Sequence, residues 1–366
     1  MTIRTRVGIV GLQPGRSWAS VAHLPALRYL SDDFEIVGVA NRNRESSQAA
    51  ATACGIPQSF ANVAEMGAST EIDLIVVTVK VPAHLDIVRT AIKAGKQVFC
   101  EWPLGRDLAE AEMLASLARE NGVWAFTSTQ SRVSPAVLHM KGLVDGGFVG
   151  KMLSTSVSGW ARIWGPVIED LKTDGYLLDK RNGATMLTIP FAHTIAAVRD
   201  VVGDIAELSA VLATRYPQVL AVETGALVPM DAPDQILVAG TLANGAPLSM
   251  HYQGGEPRGV EGFVWDIHGT DGSLRMTGPT GHTQIVPLTI IGGRGDEHSL
   301  AHIEFPADDI ALDDNVPSNI ARIYARIAAD LRDGTQTAPT FDDAVELHRL
   351  LDRIETAARD GTRLSV

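Results

Sequence analysis

The sequence predicts an α/β protein: an N-terminal doubly wound parallel sheet, then a second α/β domain with a large open, mainly antiparallel sheet. Three observations predict it. From residue 5 to residue 128, apolar β-branched runs alternate with helical stretches, as strands covered on both faces by crossover helices require. A glycine turn, Gly11-Leu12-Gln13-Pro14-Gly15, directly follows the first run. Beyond Lys151 the alternation stops, and longer strands with glycine turns replace it. At 366 residues the chain exceeds what one core usually supports, so two domains are expected, at 1–128 and 129–366.

Taking the elements in order, Val7-Gly8-Ile9-Val10 is the first strand and the small-residue stretch from Trp18 to Leu27 the first helix. A strand that delivers a helix N-terminus through a glycine turn is how a dinucleotide pyrophosphate is held. The turn is longer than the standard one, because G-x-G-x-x-G would need glycines where Gln13 and Arg16 stand. An ordinary strand-to-helix loop is the competing reading.

Phe34 to Ala40 reads as the second strand, and Asn41-Arg42-Asn43-Arg44 sits at its C-terminal end. An NAD site commonly has a carboxylate there for the adenosine ribose. An arginine pair can instead hold a 2′-phosphate, which favours NADP over NAD; the alternative is two solvated residues leading into the helix around Ala49-Ala50-Ala51. Ile72 to Val79 is a strongly apolar strand, followed by Lys80-Val81-Pro82-Ala83-His84 and a helix from Leu85 to Ala94. Lys96 to Glu101 is another strand, running into Trp102-Pro103.

Ligands of such sheets sit at the C-terminal strand ends. That rule makes Gly11, Leu12, Gln13, Gly15, Trp18, Asn41, Arg42, Thr78, Val79, Lys80, His84, Glu101 and Trp102 candidate cofactor residues on one edge. Leu108 to Asn121 and Trp124 to Ser128 complete the unit as helix and strand. Just beyond, Gln130 and Arg132 can offer amide and guanidinium groups to a nicotinamide or a polyol; a junction salt bridge is the competing reading for Arg132.

In the second domain, Ser134 to Gly146 is helical. Ile236 to Thr241, Pro247 to Tyr252 and Phe263 to Thr270 alternate as strands of a sheet covered on one side. The other side is free to meet a second subunit, so a homodimer or homotetramer is expected. Gly292 to Ser318 is acidic and strand-poor, hence a surface connection, and Asn319 to Asp333 and Phe341 to Arg359 are helices stopped by Gly334 and Gly361.

Apolar residues at 45% and charged residues at 20% describe an ordinary globular chain, and a net charge of −12 argues against nucleic acid as partner. Cys54 and Cys100 are too few for a disulfide framework and read as buried thiols in a reducing compartment. The six residues before the first strand leave no room for a signal peptide, and no run reaches membrane-spanning length, so a cytoplasmic protein is expected. His298 and His302 have a helical metal-ligand spacing but fall in a loop with no third ligand, so no metal site is expected.

With these motifs laid out, the whole chain resembles the Gfo/Idh/MocA oxidoreductase family. Glu101-Trp102-Pro103 stands where most members have Glu-Lys-Pro, and His193, at the end of Gly183-Ala184-Thr185-Met186-Leu187-Thr188-Ile189-Pro190-Phe191-Ala192-His193, stands where they have the catalytic histidine. A narrower likeness is to the branch of the fungal galactose/lactose regulatory repressor and its bacterial relatives. It is carried by the lengthened Gly11 turn with Trp18-Ala19 and His23-Leu24-Pro25-Ala26, by Val79 to His84, by Glu101-Trp102, by Gly240 to Gly245 and by Asp266 to Gly272. The resemblance implies a Rossmann domain followed by a C-terminal α/β domain with an open sheet. It also implies NAD(P) as cofactor and a sugar, polyol or related hydroxyl or carbonyl compound as substrate.

Hydride transfer needs a group that takes up and returns the hydroxyl proton. The resemblance gives this task to the lysine of Glu-Lys-Pro, helped by the histidine and often by an aspartate four residues before it; here those positions hold Trp102 and Ile189. Indole has no basic lone pair, so Trp102 is a pocket wall, and its bond to Pro103 is expected to be cis. His193 is left as the acid/base, with Lys80 either standing in for the lost lysine or holding a cofactor phosphate or ribose. Tyr176 and Lys180, upstream of His193, are candidate substrate residues or members of a surface loop. Two functions follow: an NAD(P)-dependent dehydrogenase or reductase, which transfer of a cofactor by resemblance favours, and a non-catalytic dinucleotide-binding regulator, which the lost lysine favours.

Overall fold

Six short parallel strands dominate the first compact unit, which comprises residues 1–130 together with 309–348. The structure is a computed structural model and describes residues 4–297, 299–306, 309–312 and 314–366. The unit alternates β1 (Thr5–Val10), α1 (Leu24–Tyr29), β2 (Phe34–Ala40), α2 (Arg44–Cys54), β3 (Gln58–Phe60), α3 (Val63–Ala68), β4 (Leu74–Val77), α4 (His84–Lys93), β5 (Gln97–Cys100), α5 (Leu108–Asn121) and β6 (Ala125–Thr127). Strand order is β3-β2-β1-β4-β5-β6, so the chain reverses its direction of travel across the sheet between β1 and β4. All four residues of β4 are buried, as helices on both faces demand.

Local chemistry sets the helix ends. Asn43 caps α2 by accepting from the Ser46 N–H, and Gly55 closes it in the left-handed region at φ 65°. Asp107 and Gly122 do the same for α5. Ahead of α1 the chain makes a π-type turn over Ala19–His23. The Trp102-Pro103 bond is cis, as the sequence suggested.

The second unit comprises residues 131–308 and 349–366. Its elements are α6 (Pro135–Asp145), β7 (Met152–Ala161), β8 (Val167–Ile168), α7 (Leu171–Asp174), α8 (Ala192–Val202), β9 (Ile205–Ala213), β10 (Gln218–Ala221), β11 (Ala226–Pro229), β12 (Gln235–Leu242), β13 (Pro247–Gly254), β14 (Phe263–Gly269), β15 (Gly272–Gly278), β16 (Thr289–Arg294) and β17 (Ala301–His302). The large sheet runs β17-β16-β15-β14-β7-β13-β12-β9 and is completed at the β9 edge by β18 (Leu364–Ser365). It is mixed: β7 and β13 pair in parallel, and the other neighbours are antiparallel. Helices α6 and α8 pack on each other. A smaller sheet, β11-β10-β8, lies apart from the large one.

Two expectations need correction. Gln58–Phe60 is a strand that the sequence reading passed over, because three residues are too few to show a period. The stretch from Gly292 to Ser318 is not a plain connection: β16 runs into it as far as Arg294, and β17 pairs with Ile291 and Gly292. His298 lies outside the described residues. Cys100 is buried, whereas Cys54 is only half-buried. No helix among the described residues is long and apolar enough to cross a membrane.

Residues 309–348 of the first unit contain α9 (Asn315–Asp333) and the start of α10 (Phe341–Asp360). The loop between them is tied to one buried carboxylate. Asp330 accepts from the Thr335 and Thr337 hydroxyls and from the Thr337 and Ala338 N–H groups at 2.7–2.9 Å. The loop in turn docks on β6, where the Thr127 N–H donates to the Pro339 carbonyl. Replacing Asp330 with alanine leaves those donors unmatched and is expected to cost about 3 kcal/mol in urea unfolding. Burial works to raise the Asp330 pKa, but the converging donors outweigh it and hold the carboxyl below its ordinary value. Its contribution is therefore present above the ordinary carboxylate pKa and is lost as pH falls through the lower native value.

Candidate functional site

The reversal between β1 and β4 is a switch point of the parallel sheet, and the C-terminal strand ends beside it are the standard place for a ligand in this architecture. Gly11 leaves β1 there at φ 102°, a conformation that side chains disfavour. A Cβ on it would stand 2.7 Å from Val79 Cγ1 and 3.1 Å from Thr78 Oγ1. Thr78 fixes this approach by donating from Oγ1 to the Val10 carbonyl at 2.9 Å. Gly11, Thr78 and Val79 are thus brought together, and Leu12 is buried beneath the turn.

The rest of the turn is braced from within. The Gln13 N–H donates to Ser17 Oγ and the Gly15 N–H to Ser20 Oγ, each at 2.8 Å. Neither N–H is therefore open to a phosphate. Asn41 is engaged in the same way: its amide donates to the carbonyls of Leu12 and Ser46 at 2.8 and 3.1 Å, so it ties the turn to the end of β2. Arg44 grips both oxygens of Glu65 at 2.8 Å. Arg42 is exposed and makes no ion pair among the described residues, so of the two arginines it alone is open to an anion.

At the ends of β4 and β5, Lys80 is exposed and Glu101 and Trp102 are largely buried. The indole of Trp102 lies 4.6 Å from the His348 ring, and its backbone N–H donates to Ser128 Oγ at 2.8 Å. His84, expected on the cofactor edge, is buried with Nε2 2.9 Å from the Val79 carbonyl and Nδ1 3.0 Å from the Pro103 carbonyl. Burial lowers its pKa. It braces the β4 and β5 ends against each other and has no ring nitrogen to give a cofactor.

Four further candidates, His193, Arg132, Tyr176 and Lys180, belong to the second unit. His193 lies in the first turn of α8, after a π-type turn over Leu187–Phe191. It is 3% exposed, and its Nδ1 is buried without a hydrogen-bond partner. Burial, reinforced by His282 nearby, pushes its pKa down to about 3. His282 itself is lowered to about 4 by burial, so both rings are neutral at pH 7.

Beside His193 runs a chain of hydroxyls that sequence reasoning missed. Thr194 Oγ1 lies 2.6 Å from Tyr252 Oη and 3.0 Å from Thr283 Oγ1, which is 2.8 Å from Ser131 Oγ; Tyr252 Oη donates to the Gly281 carbonyl. Room for the Tyr252 ring is made by Gly159 and Gly281, where a Cβ would come within 2.8 Å of it. The available signal was the polar run Gly281-His282-Thr283-Gln284 lodged between apolar strands.

Arg132 forms a two-point pair with Asp200 at 2.7 and 3.0 Å, so its guanidinium is committed within the second unit and is corrected from a ligand group to a structural one. Tyr176 is mostly buried, which raises its phenol to about 12. Lys180 is exposed, and its backbone N–H donates to Asp231 Oδ1 at 2.8 Å.

A dinucleotide fits the first unit on two orphaned atoms. Trp18 Nε1, beside the glycine turn, and Gln130 Oε1, beyond β6, are both buried with no hydrogen-bond partner. Natural structures seldom leave such groups unmatched, and a ligand bearing both acceptors and donors would satisfy them. Among the described residues, no group of three or more His, Cys, Asp or Glu side chains could hold a metal ion.

Comparison with known proteins agrees with this fold. Residues 5–129 match the model of an oxidoreductase family with NAD-binding Rossmann fold, and residues 135–278 match that of the Gal80p C-terminal domain. The chain is 28% identical, over 99% of its length and 94% of the relative's, to the galactose/lactose metabolism regulatory protein GAL80 of Saccharomyces cerevisiae. It is 29% identical, over 99% and 98%, to the dehydrogenase aclE of Aspergillus oryzae. A crystal structure of a super-repressor mutant of Gal80p from Saccharomyces cerevisiae superposes with a TM-score of 0.92 at 27% identity, covering 100% of this chain and 98% of that one.

Proposed function

We propose, from the premise that the chain belongs to the Gfo/Idh/MocA oxidoreductase family and carries a Gal80p-type C-terminal domain, that it is a nicotinamide-dependent oxidoreductase. It transfers a hydride between NAD(P) and a sugar, polyol or related hydroxyl or carbonyl compound. The dinucleotide would be held at the C-terminal edge of the six-stranded sheet by the Gly11 turn, Trp18, Lys80, Glu101, Trp102 and Gln130. Arg42, exposed at the end of β2, would take a 2′-phosphate, favouring NADP over NAD.

The observation that carries the catalytic reading is the neutral, unpartnered His193. A bound nicotinamide ring supplies the hydride acceptor. The chain must supply the proton acceptor, and Trp102 has no lone pair for it. A neutral imidazole is in the state that receives the hydroxyl proton. Lys80 would hold a cofactor ribose or phosphate.

A second reading, a dinucleotide-binding regulator without turnover, is favoured by the same residue: a ring with a pKa of about 3 is a weak base, and no lysine follows Glu101. One assay separates the two. Purified protein is given NAD or NADP with a panel of sugars and polyols, and reduced-cofactor absorbance is followed. Turnover on any of them supports the enzyme; tight dinucleotide binding with no turnover supports the regulator.

Self-association as a homodimer or homotetramer is assigned to the outer face of the nine-stranded sheet. Val211 and Leu237 pair across β9 and β12 there, 57% and 44% exposed. Leu237→Glu is expected to convert the assembly to monomers in analytical ultracentrifugation, and a wild-type monomer would sink the idea. The two cysteines outside any disulfide suit a reducing cytoplasm.

A further inference from the structure

A buried trio in the first unit bears on which redox form of the cofactor is held, an inference that rests on the dinucleotide reading above. His23 Nε2 lies 2.7 Å from Glu101 Oε1, and His23 Nδ1 lies 2.8 Å from Tyr324 Oη. His23 and Tyr324 are fully buried, and the Glu101 side chain is 12% exposed. Phe34 and Phe99 pack edge-on against Tyr324, with ring centres 5.2 and 5.1 Å away.

Among phenylalanines, an imidazole and a hydroxyl are costly unless every polar atom is matched. Here each is. His23 Nε2 is within hydrogen-bond reach of the carboxylate and Nδ1 of the Tyr324 hydroxyl, which burial keeps protonated by raising its pKa well above the ordinary value. This arrangement fixes one oxygen of the Glu101 carboxyl group.

The position of that group gives it a use. Glu101 directly follows β5, in the half of the sheet beyond the β1/β4 reversal, where the second mononucleotide of a dinucleotide lies. The next residue is Trp102, so the position after the carboxylate carries an indole and not a cation. His23 also sits in the π-type turn that follows the glycine turn, which joins the two ends of the proposed cofactor seat through one side chain.

We propose that Glu101, positioned by His23 and Tyr324, is a specificity-determining carboxylate that favours the oxidised, positively charged nicotinamide ring over the reduced, neutral one. A fixed anion in a partly buried setting attracts the cationic ring and gives the neutral ring no equivalent gain.

The test is a calorimetric titration of the full chain with NAD, NADH, NADP, NADPH and ADP. In Glu101→Gln, the ratio of oxidised to reduced affinity falls about tenfold for the preferred dinucleotide, while ADP affinity stays at the wild-type level. In Tyr324→Phe, which keeps the core volume but releases His23, the ratio falls about threefold. An unchanged ratio in Glu101→Gln, with ADP bound as in wild type, overturns the proposal. Should that variant lose ADP binding as well, the Tyr324→Phe ratio decides by the same criterion. A wild type that binds neither ADP nor any dinucleotide overturns the parent reading and this one together.

Discussion

Replacing Gly11 with valine lowers affinity for ADP and for the nicotinamide dinucleotides alike, by about a hundredfold or more in calorimetry. Two costs coincide at this residue. Its φ of 102° lies where an L side chain is strained by about 1–2 kcal/mol. Its Cβ would meet Val79 Cγ1 at 2.7 Å and the Val79 backbone nitrogen at 3.2 Å, and a backbone atom cannot swing aside as a lysine tip would. The turn must then lift away from the β4 end at the strand reversal. Gly15→Ala is the control. Gly15 also has a positive φ, of 70°, but a Cβ there meets nothing within 4 Å, so that variant pays strain alone and keeps most of its affinity. Wild-type ADP binding in Gly11→Val would remove the strand reversal as the cofactor seat.

How far the sequence carried this picture depends on what each residue type reports. β4 was plain because a short apolar run rich in β-branched residues reads as a strand covered on both faces, and α5 was plain because Asp107 and Gly122 punctuate it. Chain position also placed Gly11, Thr78, Lys80 and Glu101 on one edge, since each follows a parallel strand. Side-chain direction was not legible. His84 follows β4 as Lys80 does, yet its ring turns inward to two carbonyls while Lys80 stays exposed. Asn41 stands where a ribose ligand is expected, but a short amide beside an unusually long turn is used to hold that turn.

Contacts far apart in sequence were the least legible of all. Nothing local to His23 or to Tyr324 signals that 301 residues separate two halves of one hydrogen bond. The hydroxyls of Ser131, Thr194, Tyr252 and Thr283 likewise come from four separate segments, and each alone reads as an unremarkable polar residue. Helical periodicity announced α9 but not that it would join the first unit, because an apolar stripe says that a face is covered and not by what.

Replacing His193 with alanine is expected to lower turnover about a thousandfold on whichever hydroxyl substrate is found, with dinucleotide affinity unchanged. The pH dependence tests the role more sharply than the loss itself. With a native pKa of about 3, His193 is neutral across pH 5–8, so turnover in that window shows no acid limb from this residue. The fold feels the same depression with a definite sign. Below the ordinary histidine value of about 6.5 the unfolded chain takes up a proton that the native ring refuses, so stability is full above that value and declines as pH falls toward the native pKa. The slope is about 1.4 kcal/mol per pH unit for each such ring, and His282 and His348, both lowered to about 4, act with the same sign. His193→Gln keeps a neutral polar side chain and removes one proton's share of that slope, measurable as a smaller loss of urea-unfolding stability between pH 7 and pH 5. An acid limb near pH 6.5 in wild-type turnover that disappears in His193→Gln would mean that the ring protonates in water, and the buried neutral acceptor would have to be given up.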